Sequence, residues 1–320
     1  MKYLRILSVA VPTIILLWIT YTAQGVLDSG DGVQHFLITK WSFKHPELFL
    51  DHWGKPFFTL LSAPFAFVFG FKGMMIFNIL LFVISSVLLM KIIDRLFNKS
   101  RYLALFAPLF LFSAPIYTEM VLSGMTEILF GTLSLLATYL LIEKKYLWAA
   151  AVASFLPFSR PEYGVVLPLI ALTLLYRKQW KAIPFLLTGF VLFGLWGLFV
   201  FNDFLWFIHQ HTYTGEASFY GHGEWYHFIK QYPNITGKFL ALMLIIATFG
   251  ILRYLTKKAN WSSGYAPELF FVITGSICGI LFVHSYIWWK GTNSSLGLIR
   301  VMATVIPFIV LYSIWGIAEL

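Results

Sequence analysis

Charged residues are scarce in this sequence: Asp, Glu, Lys and Arg make up 12% of its 320 residues, whereas a soluble domain carries roughly 25%. Apolar residues make up 59% and aromatic residues 19%. This composition excludes an ordinary soluble domain and predicts an integral membrane protein. In such a chain the net charge of +9 is informative through its distribution among the loops, and no nucleic-acid partner is predicted.

Cysteines and nucleotide-binding motifs are also missing. The single cysteine, Cys278, lies in an apolar run and has no partner for a disulfide within the chain. The sequence contains no GxGxxG after a strand, no GxxxxGK(S/T) and no HExxH. Because no polar stretch is long enough to hold a nucleotide, we expect any group donor to arrive with a lipid.

Ten apolar stretches predict membrane helices, which need roughly 20 residues to cross about 30 Å of hydrocarbon and fewer where neighbours shelter them. They lie at 6–23, 74–93, 102–118, 125–142, 147–159, 163–176, 182–201, 237–255, 268–288 and 301–318. The predicted fold class is therefore all-α: a polytopic bundle of about ten transmembrane helices. We expect one membrane domain over 1–320, without a soluble C-terminal domain.

Two apolar segments depart from a simple crossing. The pair at 147–176 is short and interrupted by SRPEYG, which predicts a broken or tilted hairpin. The run 57–71 is opened by Lys55-Pro56 and closed by Gly70 and Lys72, and its length predicts a helix that lies in or dips into the membrane interface.

The basic residues predict the orientation. With a cytoplasmic N terminus, the short inner segments hold 14 of the 23 Lys and Arg residues, which satisfies the positive-inside rule. This count requires that 57–71 does not cross. The first helix has no A-x-A cleavage site and is expected to be retained. The predicted location is the plasma membrane, or the inner membrane in a bacterium.

The same topology places the other ionisable residues outside. All eight histidines and ten of the fourteen acids fall in outer segments or at outer helix ends. Two external segments, 24–56 and 202–236, carry most of them. In the first, Val33, Phe36, Leu37 and Trp41 recur at helical spacing, which predicts an amphipathic helix on the membrane surface.

Asp28 and Asp31 lie at the start of this surface helix. Acids there can cap the helix and complement its dipole, and for Asp28 this alternative stays open. Asp31 is flanked by Gly30 and Gly32, which would keep the backbone open to a large ligand. An outward carboxylate near basic side chains is the minimum set for sugar transfer from a polyprenyl phosphate, with the acid as base and the cations on the phosphate.

The motifs in the first half of the chain resemble the glycosyltransferase C (GT-C) superfamily, in particular its protein O-mannosyltransferase and aminoarabinose transferase branch. They are DGVQHF after the first helix, HWGKPFFTLLSAPFAFVFG, and SRPEYG near the middle of the chain. Members carry an acidic motif in the first external loop, and here Gly32 stands where a second acid is common. Phe57 replaces the second proline of their Lys/His-Pro-Pro segment.

The resemblance implies a membrane glycosyltransferase that uses a polyprenyl-phosphate sugar and a lipid, glycan or protein acceptor, in an inverting reaction at the outer face. Asp31 would be the catalytic base, with Asp28 as a cap or support. No cofactor is required, no metal site is predicted, and a divalent cation is left open. The residues expected to bind the donor phosphate are Lys55, Arg160, His209, His211 and Arg300, and those expected to bind substrate are His35, His52, Glu127, Glu162 and Lys290.

Several of these residues have structural alternatives. Glu127 near a helix start can serve the helix dipole, His209 and His211 can belong to a solvated aromatic loop, and Lys290 and Arg300 can anchor helix ends. For the whole chain, a transporter or lipid-sugar flippase is the alternative class, although it should place ionisable residues near the bilayer midplane. A nonenzymatic membrane partner would have no need of Asp31.

Overall fold

The computed structural model describes residues 1–25, 30–97, 102–210 and 219–320, and this part of the chain is helical with no strand, as predicted. Its α-helices are α1 (Lys2–Thr22), α2 (Asp31–Trp41), α3 (Pro56–Phe69), α4 (Phe71–Leu96), α5 (Phe106–Ser113), α6 (Pro115–Ser123), α7 (Glu127–Ile142), α8 (Tyr146–Ala153), α9 (Tyr163–Tyr176), α10 (Thr188–Phe201), α11 (Trp206–His209), α12 (His227–Lys230), α13 (Tyr232–Thr236), α14 (Lys238–Thr256), α15 (Lys258–Ser262), α16 (Gly275–Lys290) and α17 (Ile306–Ala318).

Short helical segments of other pitch extend several of these helices. The 3₁₀ segments are Pro46–Leu50, Leu103–Leu105, Leu156–Phe158, Trp180–Leu187 and Ile299–Val305, and a π-helical segment, Glu268–Thr274, leads into α16. Six helical units within the described residues are long and apolar enough to cross a membrane, and a bent pair makes a seventh. The shorter apolar helices α7, α8 and α9 account for the other predicted stretches, so the count of ten crossings stays a prediction.

The predicted membrane stretch 102–118 is helical, but it is not one straight helix. The chain bends by 66° between Leu103–Ser113 and Pro115–Ser123. Pro115 has no N–H to continue α5, and it forces Ala114 into an extended conformation (φ −75°, ψ 111°). The Thr118 hydroxyl donates to the Phe112 carbonyl at 2.6 Å and replaces part of the lost bonding. Hydropathy does not detect such a break because both halves are apolar.

The last helix forms the centre of the bundle. In the apolar window of Ile299–Ala318, 83% of residues are buried, compared with 22% for Lys2–Thr22 at the periphery. Helix α17 crosses α14 at two glycines. A Cβ atom on Gly250 would lie 1.8 Å from the Gly316 carbonyl oxygen, and one on Gly316 would lie 2.1 Å from the Ala247 carbonyl oxygen. The backbones therefore touch, as in small-residue helix contacts of membrane proteins.

Helix α3 pairs with α4 in a hairpin. Gly70 makes the turn with φ +61°, which favours glycine. Lys72, just beyond the turn, donates to the Tyr21 carbonyl at the end of α1. The chain therefore leaves α1 and enters α4 at the same end of the bundle. The position of α3 in the membrane interface stays a prediction.

Ion pairs join helix ends at the opposite end of the bundle. Arg5 near the start of α1 pairs with Asp94 near the end of α4. Arg95 Nε lies 3.4 Å from Glu143 after α7. Arg177, after α9, donates two hydrogen bonds to Glu268. We call this the basic end, because it carries most of the lysines and arginines that the sequence analysis assigns to inner loops.

We expect Gly316→Ala to destabilise the protein by about 1–3 kcal/mol, the usual cost of overpacking. The new methyl would overlap the Ala247 carbonyl. Gly164→Ala is the control, because a Cβ atom there has nothing within 4 Å. Both substitutions replace a helical glycine by alanine, so both carry the same intrinsic gain in helix propensity. Unfolding in mixed micelles by SDS titration measures both, and equal stabilities of the two variants would contradict the close contact.

Candidate active site

A chain of alternating charges lies at the bundle end opposite the basic end. The Asp31 carboxylate accepts a short hydrogen bond from Arg300. Arg300 Nε lies 3.9 Å from Glu127 Oε1 on its other side. Glu127 in turn pairs with Arg160, whose Nη1 lies 2.8 Å from Oε1, and Arg160 continues to Glu162 at 3.0 Å. We call these five residues the charge chain.

Helix starts position these side chains. Asp31 is the first residue of α2 and Glu127 the first of α7, where the helix dipole favours an acid. Arg160 and Glu162 come from the SRPEYG turn, which connects the 3₁₀ segment Leu156–Phe158 to α9. Arg300 is the second residue of the 3₁₀ segment that leads into α17. The charge chain therefore links four separate parts of the sequence.

Arg160 is the most highly coordinated member. Its Nε and Nη2 donate to the two oxygens of Glu162 at 3.0 Å each, and its Nη1 donates to the Thr126 hydroxyl at 2.9 Å. This uses the planar fork that distinguishes arginine from lysine. His284 on α16 adds a contact of 3.3 Å from Nε2 to Glu162. Burial alone would raise the pKa of Glu162, but Arg160 and His284 outweigh it and lower that pKa.

Glu127 is completely buried, yet its carboxylate has unused acceptor capacity. Neither oxygen accepts a hydrogen bond from the described residues, although Arg160 and Arg300 lie at ion-pair distance. A buried carboxylate is costly unless its lone pairs are satisfied. Glu127 is therefore a group that a bound hydroxyl or water can stabilise.

Lys55 and His35 lie beside the charge chain. Lys55 is 9% exposed, and its Nζ donates to the His52 carbonyl at 3.0 Å. Burial, and then repulsion from Arg160, lower the pKa of Lys55 to about 8. His35 lies edge-on to Phe58, with 6.0 Å between ring centroids. Burial, followed by Lys55, Arg160 and Arg300, lowers its pKa to about 3, so the imidazole is neutral.

The residues that α2 buries are not the apolar residues that define its predicted amphipathic pattern. The helix buries Gly32, His35 and Thr39, whereas Leu37 is 47% and Trp41 is 41% exposed. The predicted helix exists, and its small and polar residues face the protein. Leu37 and Trp41 are left on the outside, as expected for a helix that rests on a membrane, whereas Phe36 packs edge-on against Phe71 of α4.

The other predicted site residues make contacts outside the charge chain. His52 packs against Trp206 and Phe207. His209 Nδ1 pairs with Asp203 at 2.8 Å on an exposed surface. Lys290 stacks on Trp289 at 4.0 Å from the ring centroid. Asp28 and His211 fall outside the described residues. The binding roles of these residues stay predictions.

Two contacts of the site were not assigned from the sequence. Thr126 directly precedes α7, and a threonine there is a helix-start signal, but its hydroxyl serves Arg160 rather than the helix. His284 lies within an apolar helix, and the sequence fits a packed histidine as well as a ligand. In the structure its Nε2 contacts the Glu162 carboxylate. Within the described ranges, no three His, Cys, Asp or Glu side chains are grouped as metal ligands.

The described structure shares its fold with a solved member of the aminoarabinose transferase branch that the motifs resemble. It is similar to the crystal structure of ArnT from Cupriavidus metallidurans in the apo state, with a TM-score of 0.65 and 13% sequence identity. The match covers 98% of this chain and 59% of the ArnT chain. Protein-family models and curated proteins give no match. The chain is therefore a multi-pass membrane protein that shares the ArnT fold over little more than half of the ArnT length.

Replacing Arg160 by methionine should destabilise the protein by about 3–5 kcal/mol, because it removes the arginine paired with buried Glu162 and the nearer of the two arginines beside buried Glu127. The control is Arg253→Met, where an exposed arginine donates to the Leu320 carbonyl and a change of about 0.5 kcal/mol or less is expected. SDS titration in mixed micelles measures the free energy of unfolding of both variants. Adding Glu162→Gln to Arg160→Met should restore part of the loss, and equal stability of the two arginine variants would contradict this role.

Proposed function

We propose that the protein is a membrane glycosyltransferase, with a sugar on a polyprenyl phosphate as its donor and a hydroxyl of a lipid, glycan or protein as its acceptor. The observation that carries the proposal is the position of Asp31, a half-buried carboxylate at the edge of a group of buried cations. The similarity in fold to ArnT supports the same class of reaction. Each requirement of the chemistry has a candidate group among the described residues.

Asp31 is the proposed base. Its side chain is 33% exposed, whereas Glu127 and Glu162 are buried, so among these three acids it is the most accessible to an acceptor. The acceptor hydroxyl gives its proton to Asp31 as its oxygen forms a bond to the anomeric carbon. The bond from that carbon to the phosphate oxygen breaks, and the polyprenyl phosphate leaves with the electron pair. Attack from the face opposite the phosphate inverts the anomeric carbon.

Lys55 and Arg300 are the proposed ligands of the departing phosphate. Two positive groups close to the developing charge stabilise it without a metal ion, and we propose that no cofactor is needed. Arg300 lies between Asp31 and Glu127, so a donor phosphate can take over this cation and leave Asp31 able to accept a proton. Neutral His35 supplies a further hydrogen-bonding group, and Glu127 can accept a bond from a sugar hydroxyl.

The proposed orientation places this site outside and the basic end in the cytoplasm. Lys144, Lys145, Arg177 and Lys181 follow helix ends far from the charge chain, which agrees with the positive-inside rule. The five residues of the charge chain lie at helix starts or in the turns just before them. A transporter should have them near the bilayer midplane, so the outer position that the sequence topology predicts for the charge chain favours a transferase over a flippase.

The decisive experiment is transfer of radiolabelled sugar from a panel of polyprenyl-phosphate sugars by purified protein in detergent. Asp31→Asn should reduce the rate by a factor on the order of 10²–10⁴, the usual contribution of a general base, and leave donor binding intact. Glu47→Gln is the matched control, because this exposed acid belongs to the same external segment and pairs with His45. It should retain the wild-type rate.

Equal transfer by wild type and Asp31→Asn would remove Asp31 from the chemical step. Absence of transfer with every donor, combined with movement of a lipid-linked sugar across vesicle membranes, would replace the transferase by the flippase alternative.

The rate at low donor concentration should decline above about pH 8. Lys55, with its pKa lowered to about 8, is charged below that pH and neutral above it, while the phosphodiester of the donor keeps its charge. Lys55→Arg should retain activity and lose this decline, because arginine stays protonated. Lys44→Arg, at an exposed lysine stacked on Trp41, should keep the wild-type profile. An unchanged decline in Lys55→Arg would assign the titration to another group.

A further inference from the structure

A groove of about 700 Å³ opens at the basic end of the bundle. Its walls come from the end of α7, the turn 143–145, the start of α8 and the 3₁₀ segment Trp180–Leu187. It is separate from the charge chain. Helix α7 has 16 residues and begins at Glu127, so its far end lies about 24 Å from the candidate active site.

Three lysines surround this groove. Lys144, Lys145 and Lys181 line it, and the described residues that line it include no acid. All three side chains are exposed, and none forms an ion pair with the parts of the chain that the structure describes. The nearest acid in sequence, Glu143, already lies 3.4 Å from Arg95. The groove therefore carries a positive charge that no acid of the described residues neutralises through an ion pair.

Apolar and aromatic side chains form the rest of the lining. Tyr146, Leu147 and Trp148 lie directly after the lysine pair, and Leu147 is 45% and Trp148 69% exposed. An exposed tryptophan next to lysines is typical of the membrane interface, where the ring lies at headgroup level. The groove thus offers cations to a headgroup and an apolar surface to the first part of its acyl chains.

We propose that this groove binds the headgroup of an anionic phospholipid. Basic pockets between helices at the cytoplasmic side of a membrane bind such headgroups, and the three lysines supply the complementary charge. A free phosphate would use the lysines but would gain nothing from Leu147 and Trp148. Simple topology also puts lysines at this end, but it does not require three of them around one groove.

The test is native mass spectrometry of the purified full chain with phosphatidylglycerol, and with phosphatidylcholine as the neutral lipid. Lys144→Gln/Lys145→Gln/Lys181→Gln should weaken phosphatidylglycerol binding by roughly fivefold for each lysine, on the order of 100-fold in total. Phosphatidylcholine binding should not change. Trp148→Ala should weaken phosphatidylglycerol binding without removing any charge.

The matched control is Lys2→Gln/Lys257→Gln/Lys258→Gln. These lysines are exposed at the same end of the bundle and do not line the groove, so their removal subtracts the same charge at a distance where salt screens it. We expect less than about a twofold effect from this control. Equal weakening by both triple variants would overturn the proposal and leave only a diffuse attraction to the membrane surface.

Competition with inorganic phosphate distinguishes a phospholipid headgroup from free phosphate as the ligand of the three lysines. If millimolar phosphate displaced phosphatidylglycerol completely and Trp148→Ala had no effect, the groove would be a phosphate site and the proposal would be wrong. The expected result is that phosphate competes weakly and that Trp148→Ala weakens lipid binding. Both results are independent of sugar transfer at the opposite end of the bundle.

Discussion

The two carboxylates that flank Arg160 impose the main constraint on this structure. Glu127 and Glu162 are buried in an apolar helical bundle, and a buried acid is tolerated only when a cation and hydrogen bonds replace its water. Arg160 does this for Glu162 with a bidentate fork and reaches Glu127 with its remaining amino group. Because these groups come from α7 and from the turn before α9, their pairing fixes how the two helices meet.

The same pairing prepares the site electrostatically. Each acid of the charge chain has an arginine beside it, so the cations are held in place before any anionic ligand arrives, and no reorganisation is needed when charge develops. Glu127 also has arginines at ion-pair distance, but its oxygens accept no hydrogen bond from the described residues. Burial and charge also keep His35 neutral. The site thus alternates acids with cations around one half-exposed acid, which suits a reaction in which a base takes up the acceptor's proton and a phosphate leaves.

Much of the fold could be predicted from the sequence, because runs of apolar residues near bilayer length leave few alternatives to helices. Asp31 and Arg160 stood out as polar residues after apolar runs. The break at Ala114 was missed although Pro115 was visible, since hydropathy averages over a proline. The contact between Asp31 and Arg300 joins residues 269 positions apart, and no local spacing encodes it. Only the packing of α17 through the centre brings the two together.

Arginine and lysine have different roles in this structure. Fixed pairs use arginine: Arg160 with Glu162 at the site, and Arg5 with Asp94 and Arg177 with Glu268 at the basic end. Arginine is always charged and binds a carboxylate with defined geometry, whereas lysine is a flexible, strongly hydrated point charge. Three of the lysines that form no ion pair within the described residues, Lys144, Lys145 and Lys181, surround a groove instead. Rigid cations therefore organise the protein, and the mobile ones are left for an anion that comes from outside it.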